Sequence, residues 1–259
     1  MKENSVSFIG AGNLAWHLAP ALDNAGFAVR EVYSRNEKNA HALAERLYQC
    51  EIVSVPDFSE SVSDIFIMAV SDDAIPEILA SLVLPDEAVL IHTSGSQPLS
   101  VLDDAPVGDI GVFYPLQTFT KGRKINFESV PIFIESVNEA VTRKLIAMGK
   151  AISRNVNTIS SEERKALHVA AVFASNFTNH MLTIAEQIMR DNKLKYELLK
   201  PLIAEMLNKS LELGPGVAQT GPARRGDLQI LDAHMEFLAD DPQLAEIYKN
   251  VSQHIIDTY

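Results

Sequence analysis

The sequence predicts an α/β fold in two parts, a doubly wound parallel sheet followed by an all-helical domain. Three observations predict it. Short apolar, β-branched runs alternate with amphipathic helical stretches through the first half. One of these runs, "DIFIMAV" (64–70), is almost wholly apolar, as a strand buried on both faces of a parallel sheet must be. From about Ser160 the alternation stops and helical periodicity continues alone. The domain boundary therefore falls near residue 158, with a sheet domain over 1–158 and a helical domain over 159–259.

Element by element, "VSFIG" (6–10) is a first strand that ends in glycine, and "NLAWHLAPALDNAG" (13–26) is a helix that stops at Gly26. "AVREVYS" (28–34) is the second strand, "NAHALAERL" a helix and "EIVSV" a strand. After "DIFIMAV" come the helix "AIPEILASL" and the strands "AVLIHTSG" (88–95) and "DIGVFYPL" (109–116). "SVPIFIE" and "AISRNVN" read as late strands around the helix "NEAVTRKLIAMG". Repeated β-α-β units imply a parallel sheet with right-handed crossovers. The remaining helices are expected over 161–191, 195–213, 227–239 and 242–256.

Composition excludes several classes. Hydrophobic residues make up 47% and charged residues 22% of the 259, ordinary for a globular protein. A net charge of −12 disfavours nonspecific nucleic-acid binding. No apolar run reaches membrane-spanning length, and "MKENSVSFIG" leads into a strand without a signal-like stretch, so a cytoplasmic location is expected. Cys50 is the sole cysteine, which leaves no disulfide framework and no cysteine zinc site. No His/Asp/Glu cluster has ligand spacing, so no metal is expected.

The chemistry-bearing residues begin at the first strand–helix turn. "FIGAGNLA" places Gly10, Ala11, Gly12, Asn13, Leu14 and Ala15 in a Gly-x-Gly-x-x-Ala pattern between strand and helix. Glycine there lets the backbone approach a pyrophosphate, and the helix N-terminus supplies free N–H groups. In this place the pattern is expected to be the dinucleotide-binding turn of a Rossmann sheet, the plainer alternative being a structural strand–helix turn. The tip of the second strand distinguishes the two nicotinamide cofactors. An acid there would accept from a ribose 2′-hydroxyl, but the tip reads Tyr33-Ser34-Arg35-Asn36. Ser34 can hydrogen-bond a 2′-phosphate and Arg35 can neutralise it, so NADP(H) is expected. Glu31, the nearest acid, falls inside the strand.

Two further loops follow strand ends, where such sheets bind ligands. Val70, Ser71 and Asp72 are expected to line the cofactor site and to cap the next helix. His92, Thr93 and Ser94 are expected near the nicotinamide end, with His92 readable equally as a structural histidine. "YPLQTF" (114–119) mixes aromatic and amide groups suited to a pocket wall, with Gln117 as a substrate contact, and suits a crossover linker as well.

In "LHVAAVFASNFTNHMLTIAEQI" (167–188), a regular helix puts Ser175, Asn179 and Glu186 within about 20° of His168, with Asn176 about 80° away. The stripe carries no Lys or Arg between 168 and 186, which suits a half-buried cleft better than bulk water. His168 is a candidate general acid, and Ser175, Asn176 and Asn179 are candidate orienting groups. "AQTGPARRGD" (218–227) is a rigid turn shaped by Thr220, Gly221 and Pro222, with Asp227 as an N-cap. One of Arg224 and Arg225 is expected to meet a substrate anion, and Arg225 is favoured.

The segments "GAGNLA", "HTSGSQPL", "VFYPLQTF", "LHVAAVFASNF" and "TGPARRGD", in order along nearly the whole chain, carry a resemblance. The chain resembles the Rossmann-like proteins with a C-terminal DUF2520 domain, described as NADP-dependent oxidoreductases. Its layout is more distantly similar to pyrroline-5-carboxylate reductase, 3-hydroxyisobutyrate dehydrogenase and ketopantoate reductase. The resemblance implies a reductase-type cleft between the domains and a homodimer formed through the helical domain. It implies no particular substrate. One departure matters: the hydroxyacid dehydrogenases and ketopantoate reductase use a lysine with an asparagine four residues later, whereas here Lys165 is followed by Val169. The lysine mechanism does not transfer, which leaves His168 and Asn176 as the catalytic candidates.

The combined expectation is an NADP(H)-dependent oxidoreductase acting on a small anionic carbonyl or imine compound, or on the corresponding hydroxy or amino acid. The rival is a non-catalytic NADP-binding sensor or partner-binding dimer. A glycine loop for FAD is disfavoured by the chain's length and by Arg35.

Overall fold

The apolar runs become one eight-stranded sheet in the computed structural model of the chain, which describes residues 4–259. The elements of this part are β1 (Ser5–Ile9), α1 (Asn13–Asn24), β2 (Ala28–Tyr33), α2 (Glu37–Ala44), β3 (Glu51–Val53), β4 (Ile65–Met68), α3 (Ile75–Leu79), β5 (Val89–His92), β6 (Asp109–Pro115), β7 (Ile132–Ser136), α4 (Glu139–Ile152) and β8 (Val156–Thr158). Their spatial order is β3-β2-β1-β4-β5-β6-β7-β8, so the order reverses beside β1, next to the glycine turn. Alternate residues of β4 show why the strand is apolar throughout: Ile65 and Ile67 pack into the core with α1, α2 and α4, and Phe66 and Met68 into the core with α3.

Two expectations need correction here. The sheet is parallel from β3 to β6, but β7 runs antiparallel to β6, and β8 is parallel to β7. The connection from β6 to β7 contains only one short helical turn, Phe127–Ser129, so no crossover helix returns the chain to the opposite edge. "AISRNVN" is not one strand: Ala151 and Ile152 finish α4, and β8 begins at Val156.

After the sheet come α5 (Ser161–Ala171), a π-helical stretch (Val172–Phe177) and α6 (Thr178–Asp191). A capping box starts α5, with the Ser160 side chain bonded to Glu163 N–H and the Glu163 carboxylate to Ser160 N–H. The chain divides into two compact units, Met1–Asn179 and His180–Tyr259. The sheet ends at Thr158, where the sequence alternation ends, while the first unit runs on to Asn179. The second unit holds the rest of α6 with α7 (Lys200–Leu213), α8 (Pro215–Ala218), α9 (Pro222–Arg225), α10 (Leu228–Phe237) and α11 (Pro242–Thr258). Among the described residues no helix is long and apolar enough to cross a membrane.

Candidate active site

At the carboxyl ends of β1, β2, β4 and β5 lies a cavity of about 510 Å³. Gly10, Ala11, Gly12, Asn13 and Leu14 form one wall. Gly10 has φ +109°, and a Cβ on it would sit 2.8 Å from Val70 Cγ1 and closer still to the Ala69 carbonyl oxygen. Only glycine fits that turn. Gly12, the N-cap of α1, makes no side-chain cap bond, and the first turn of α1 has no acid. A Cβ there would lie 4.0 Å from its nearest neighbour, the Ala69 carbonyl oxygen, so the helix N-terminus opens freely into the cavity. The glycine turn, the open N–H groups and the cavity fit a dinucleotide pyrophosphate.

Ser34, Arg35 and Asn36 form the next wall. Arg35 donates to Glu77 at 2.9 Å, an exposed pair of the kind that contributes little. The Glu31 carboxylate turns inward, accepting from the hydroxyls of Ser7, Ser61 (2.9 Å) and Ser63 (3.2 Å). Glu31 is thus committed to an internal network and does not line the cavity, whereas Ser34 and Arg35 do. Val70, Ser71 and Asp72 also line the cavity. Ser71 stands at an N-cap position but makes no side-chain cap bond, contrary to the capping expectation, and Asp72 accepts from Ser96 Oγ.

Thr93, Ser94, Gly95 and Ser96 close the far side, but His92 does not line the cavity. Its side chain is fully buried, and its Nδ1 accepts from Ser94 N–H at 3.1 Å. Burial, and next the Arg164 guanidinium, push its pKa down to about 4, with the Pro98 carbonyl and Asp72 offsetting part of the shift. His92 is therefore a neutral residue that shapes the loop from below, which corrects its placement among cofactor contacts.

His168 lines the same cavity from α5. Its Nδ1 shares a 3.0 Å hydrogen bond with the Tyr114 hydroxyl at the end of β6, and the two rings meet edge to face. Gly95 makes this approach possible, since a Cβ there would lie 2.5 Å from His168 Nδ1 and 2.8 Å from Tyr114 Cζ. Burial raises the Tyr114 pKa against a smaller opposing pull from Arg164. His168 and Tyr114 also line an adjoining cavity of about 470 Å³ with Gln117, Ser175 and Asn176. Asn176, placed off the stripe by regular helical spacing, shares a third cavity with Ser175 and Asn179. The stretch 172–177 is π-helical, so the wheel of a regular helix does not hold there. Thr178 Oγ1 donates to the Phe173 carbonyl at 3.1 Å.

Thr220, Gly221 and Arg225 belong to the second unit. Thr220 and Gly221 line an apolar cavity of about 280 Å³ there. Arg224 donates to the main-chain oxygen of Tyr259 at 2.8 Å and lies 4.6 Å from the centre of its ring. Arg225 is exposed with no partner among the described residues. Asp227 caps α10, accepting from Ile230 N–H at 3.4 Å.

Sequence reasoning missed Arg164. Its side chain is fully buried, paired with Glu135 of β7, and donates to the Gln97 carbonyl. Glu135 also accepts from Ser161 N–H at 3.0 Å, and Ser161 Oγ accepts from Leu99 N–H at 2.9 Å. This cluster ties α5 to the sheet and to the 93–99 loop. Because Arg164 precedes His168 by one helical turn, it fixes the turn that presents the imidazole. That spacing, and an acid at the end of the apolar run "IFIE", were the available signals.

Residues 5–95 match the family described as "NADP oxidoreductase coenzyme F420-dependent", and residues 130–255 match the domain DUF2520. A proposed NADP oxidoreductase from Bacteroides fragilis is 38% identical over 99% of both chains, with a TM-score of 0.89. The chain belongs to the NADP oxidoreductases that carry a C-terminal DUF2520 domain. At the level of fold this oxidoreductase is also similar to a reductive aminase from Aspergillus terreus, solved with NADPH and ethyl levulinate (14% identity, 98% and 94% coverage, TM-score 0.72). A second likeness is to an imine reductase from Myxococcus stipitatus solved with NADP+ (15%, 98% and 92%, 0.64). No curated protein matches the oxidoreductase. Among the described residues no group of three or more His, Cys, Asp or Glu is placed to hold a metal ion.

Proposed function

We propose that this oxidoreductase reduces the carbonyl or imine of a small acidic compound, or oxidises the corresponding hydroxy or amino acid. The observation that carries the reading is the Tyr114–His168 pair: His168 lines both the glycine-turn cavity and the adjoining one, and Tyr114 lines the second. When bound, NADPH supplies the hydride, and the fold is shared with an imine reductase solved with NADP+ and a reductive aminase solved with NADPH. Gly10, Ala11, Gly12, Asn13 and Leu14 hold the pyrophosphate, and Ser34 and Arg35 the 2′-phosphate. Val70, Ser71, Asp72, Thr93 and Ser94 line the remainder.

With Nδ1 engaged by the Tyr114 hydroxyl, Nε2 is the ring nitrogen left for the substrate. As the hydride reaches carbon, the π electrons move to the substrate oxygen or nitrogen, and His168 Nε2 delivers the proton there. Gln117, Ser175, Asn176 and Asn179 orient the substrate, and Thr220, Gly221 and Arg225 are the second unit's candidates for contact. Exposed apolar side chains of the second unit, such as Leu202, Leu211 and Phe237, support a homodimer through its helices. A cytoplasmic setting agrees with the cofactor.

NADPH oxidation over a panel of oxo acids and cyclic imines tests this. An active compound on which His168→Ala turns over as fast as wild type would sink the proton-donor role. Tight NADPH binding with no turnover on any compound would favour the sensor reading.

A further inference from the structure

The third cavity, about 600 Å³, carries more than an extension of the site. Gln117, Thr118, Ser175 and Asn176 line both it and the cavity that holds Tyr114 and His168. All of these residues, with those at its far end, belong to the first unit. At that end stand Arg123 and Lys124, and none of the lining residues is acidic. Neither cation has a partner among the described residues, whereas the nearest acid of the loop, Glu128, is engaged with Arg154 at 2.8 Å. In a chain of net charge −12, two free cations over a cavity without carboxylates make a local positive site.

The loop that carries them is held in place. Phe119 and Ile125 pack against the core, and the Phe119 ring stacks 5.9 Å from Phe127 and 5.8 Å from His17. His17 Nε2 bonds the Thr120 carbonyl at 3.0 Å, and Lys121 donates to Asn39 at 3.1 Å while lying 5.1 Å from the centre of the Trp16 ring. Trp16 and His17 lie on α1, whose N-terminus forms the glycine-turn wall. One helix therefore fixes both the cofactor end and the cationic end.

Resting on the reductase reading above, we infer that Arg123 and Lys124 bind the substrate's carboxylate, so that the substrate is an oxo or imino acid. Its reacting carbon lies at Tyr114–His168 and its acid at the 117–126 loop. A guanidinium offers a carboxylate two parallel N–H bonds, and the ammonium adds a second charge.

The test compares oxo acids (pyruvate, levulinate, 2-oxoglutarate) with their methyl esters, read both as binding to the NADP+ complex and as NADPH oxidation. At least one acid is expected to bind about tenfold or more tightly than its ester. The double variant Arg123→Gln/Lys124→Gln is expected to erase that preference with the Kd for NADPH unchanged, and Arg225→Ala to keep it. The inference is overturned if no acid is preferred, if the double variant keeps the preference, or if Arg225→Ala alone removes it. Acid binding that depends on Arg123 and Lys124 without NADPH oxidation would sink the reductase reading and leave the carboxylate site standing.

Discussion

Replacing His92 by asparagine is expected to flatten the pH dependence of stability. His92 is fully buried and titrates near 4, against an ordinary value of 6.5 in the unfolded chain. Below about pH 6.5 the unfolded chain therefore binds a proton that the folded one refuses. Stability is fully present above that pH and falls as pH drops toward 4, levelling below it. Between about pH 7.5 and about pH 4.5 the loss from this one group comes to about 2–3 kcal/mol. Asparagine keeps an acceptor for Ser94 N–H, in the manner of an Asx turn, and does not titrate. Urea unfolding followed by the fluorescence of Trp16, the only tryptophan, reports on the first unit. The variant should start less stable at about pH 7.5, because the ring's packing is lost, and should give up about 2–3 kcal/mol less than wild type on acidification. Parallel loss in the two proteins would refute the reasoning and place the acid sensitivity elsewhere.

Other perturbations separate cofactor, chemistry and scaffold. Arg35→Ala should raise KM for NADPH about tenfold and leave KM for NADH and the unfolding midpoint unchanged, since the exposed Arg35–Glu77 pair contributes under about 1 kcal/mol. Gly95→Ala should lower kcat about tenfold or more by displacing His168, and a direct titration should show weaker NADPH binding as well, since Gly95 and His168 both line the glycine-turn cavity. Tyr114→Phe should lower kcat for reduction about tenfold to a hundredfold and shift the alkaline limb of the kcat–pH profile, where a proton donor is lost, because His168 Nδ1 loses its partner. Arg164→Met should cost about 3–5 kcal/mol in denaturant unfolding by stranding Glu135, and the double change with Glu135→Gln should recover much of it.

The cofactor half of the site was legible because its requirements are local. Glycine at a positive φ, a helix start without a competing cap and the Ser34–Arg35 tip each follow from neighbours in the chain. The stripe of His168, Ser175 and Asn179 assumes regular helical spacing, but the π-helical stretch 172–177 alters the angle each residue advances and leaves no composition signal: Ser175 and Asn176 line two cavities together, while His168 and Asn179 line different ones. Tyr114, Gly95 and His168 meet across long sequence separations, and their contact depends on a missing Cβ, which a single sequence presents as one glycine among twelve. Arg164 was hidden for the opposite reason: charged residues on helices are ordinarily solvated, and only the fold shows that β7 brings Glu135 beneath this one. The reversal of β7 was likewise unreadable, since apolar alternation is the same in either direction.

His168 forms part of two cavity walls at once. Occupancy of the two is then thermodynamically linked, because whatever fixes the imidazole for one ligand fixes it for the other. Linkage is reciprocal: if NADP+ tightens an acid by some factor, the acid tightens NADP+ by the same factor. A closed four-corner titration of binary and ternary complexes would measure that factor, and a value above one would make the ternary complex more populated than independent binding allows.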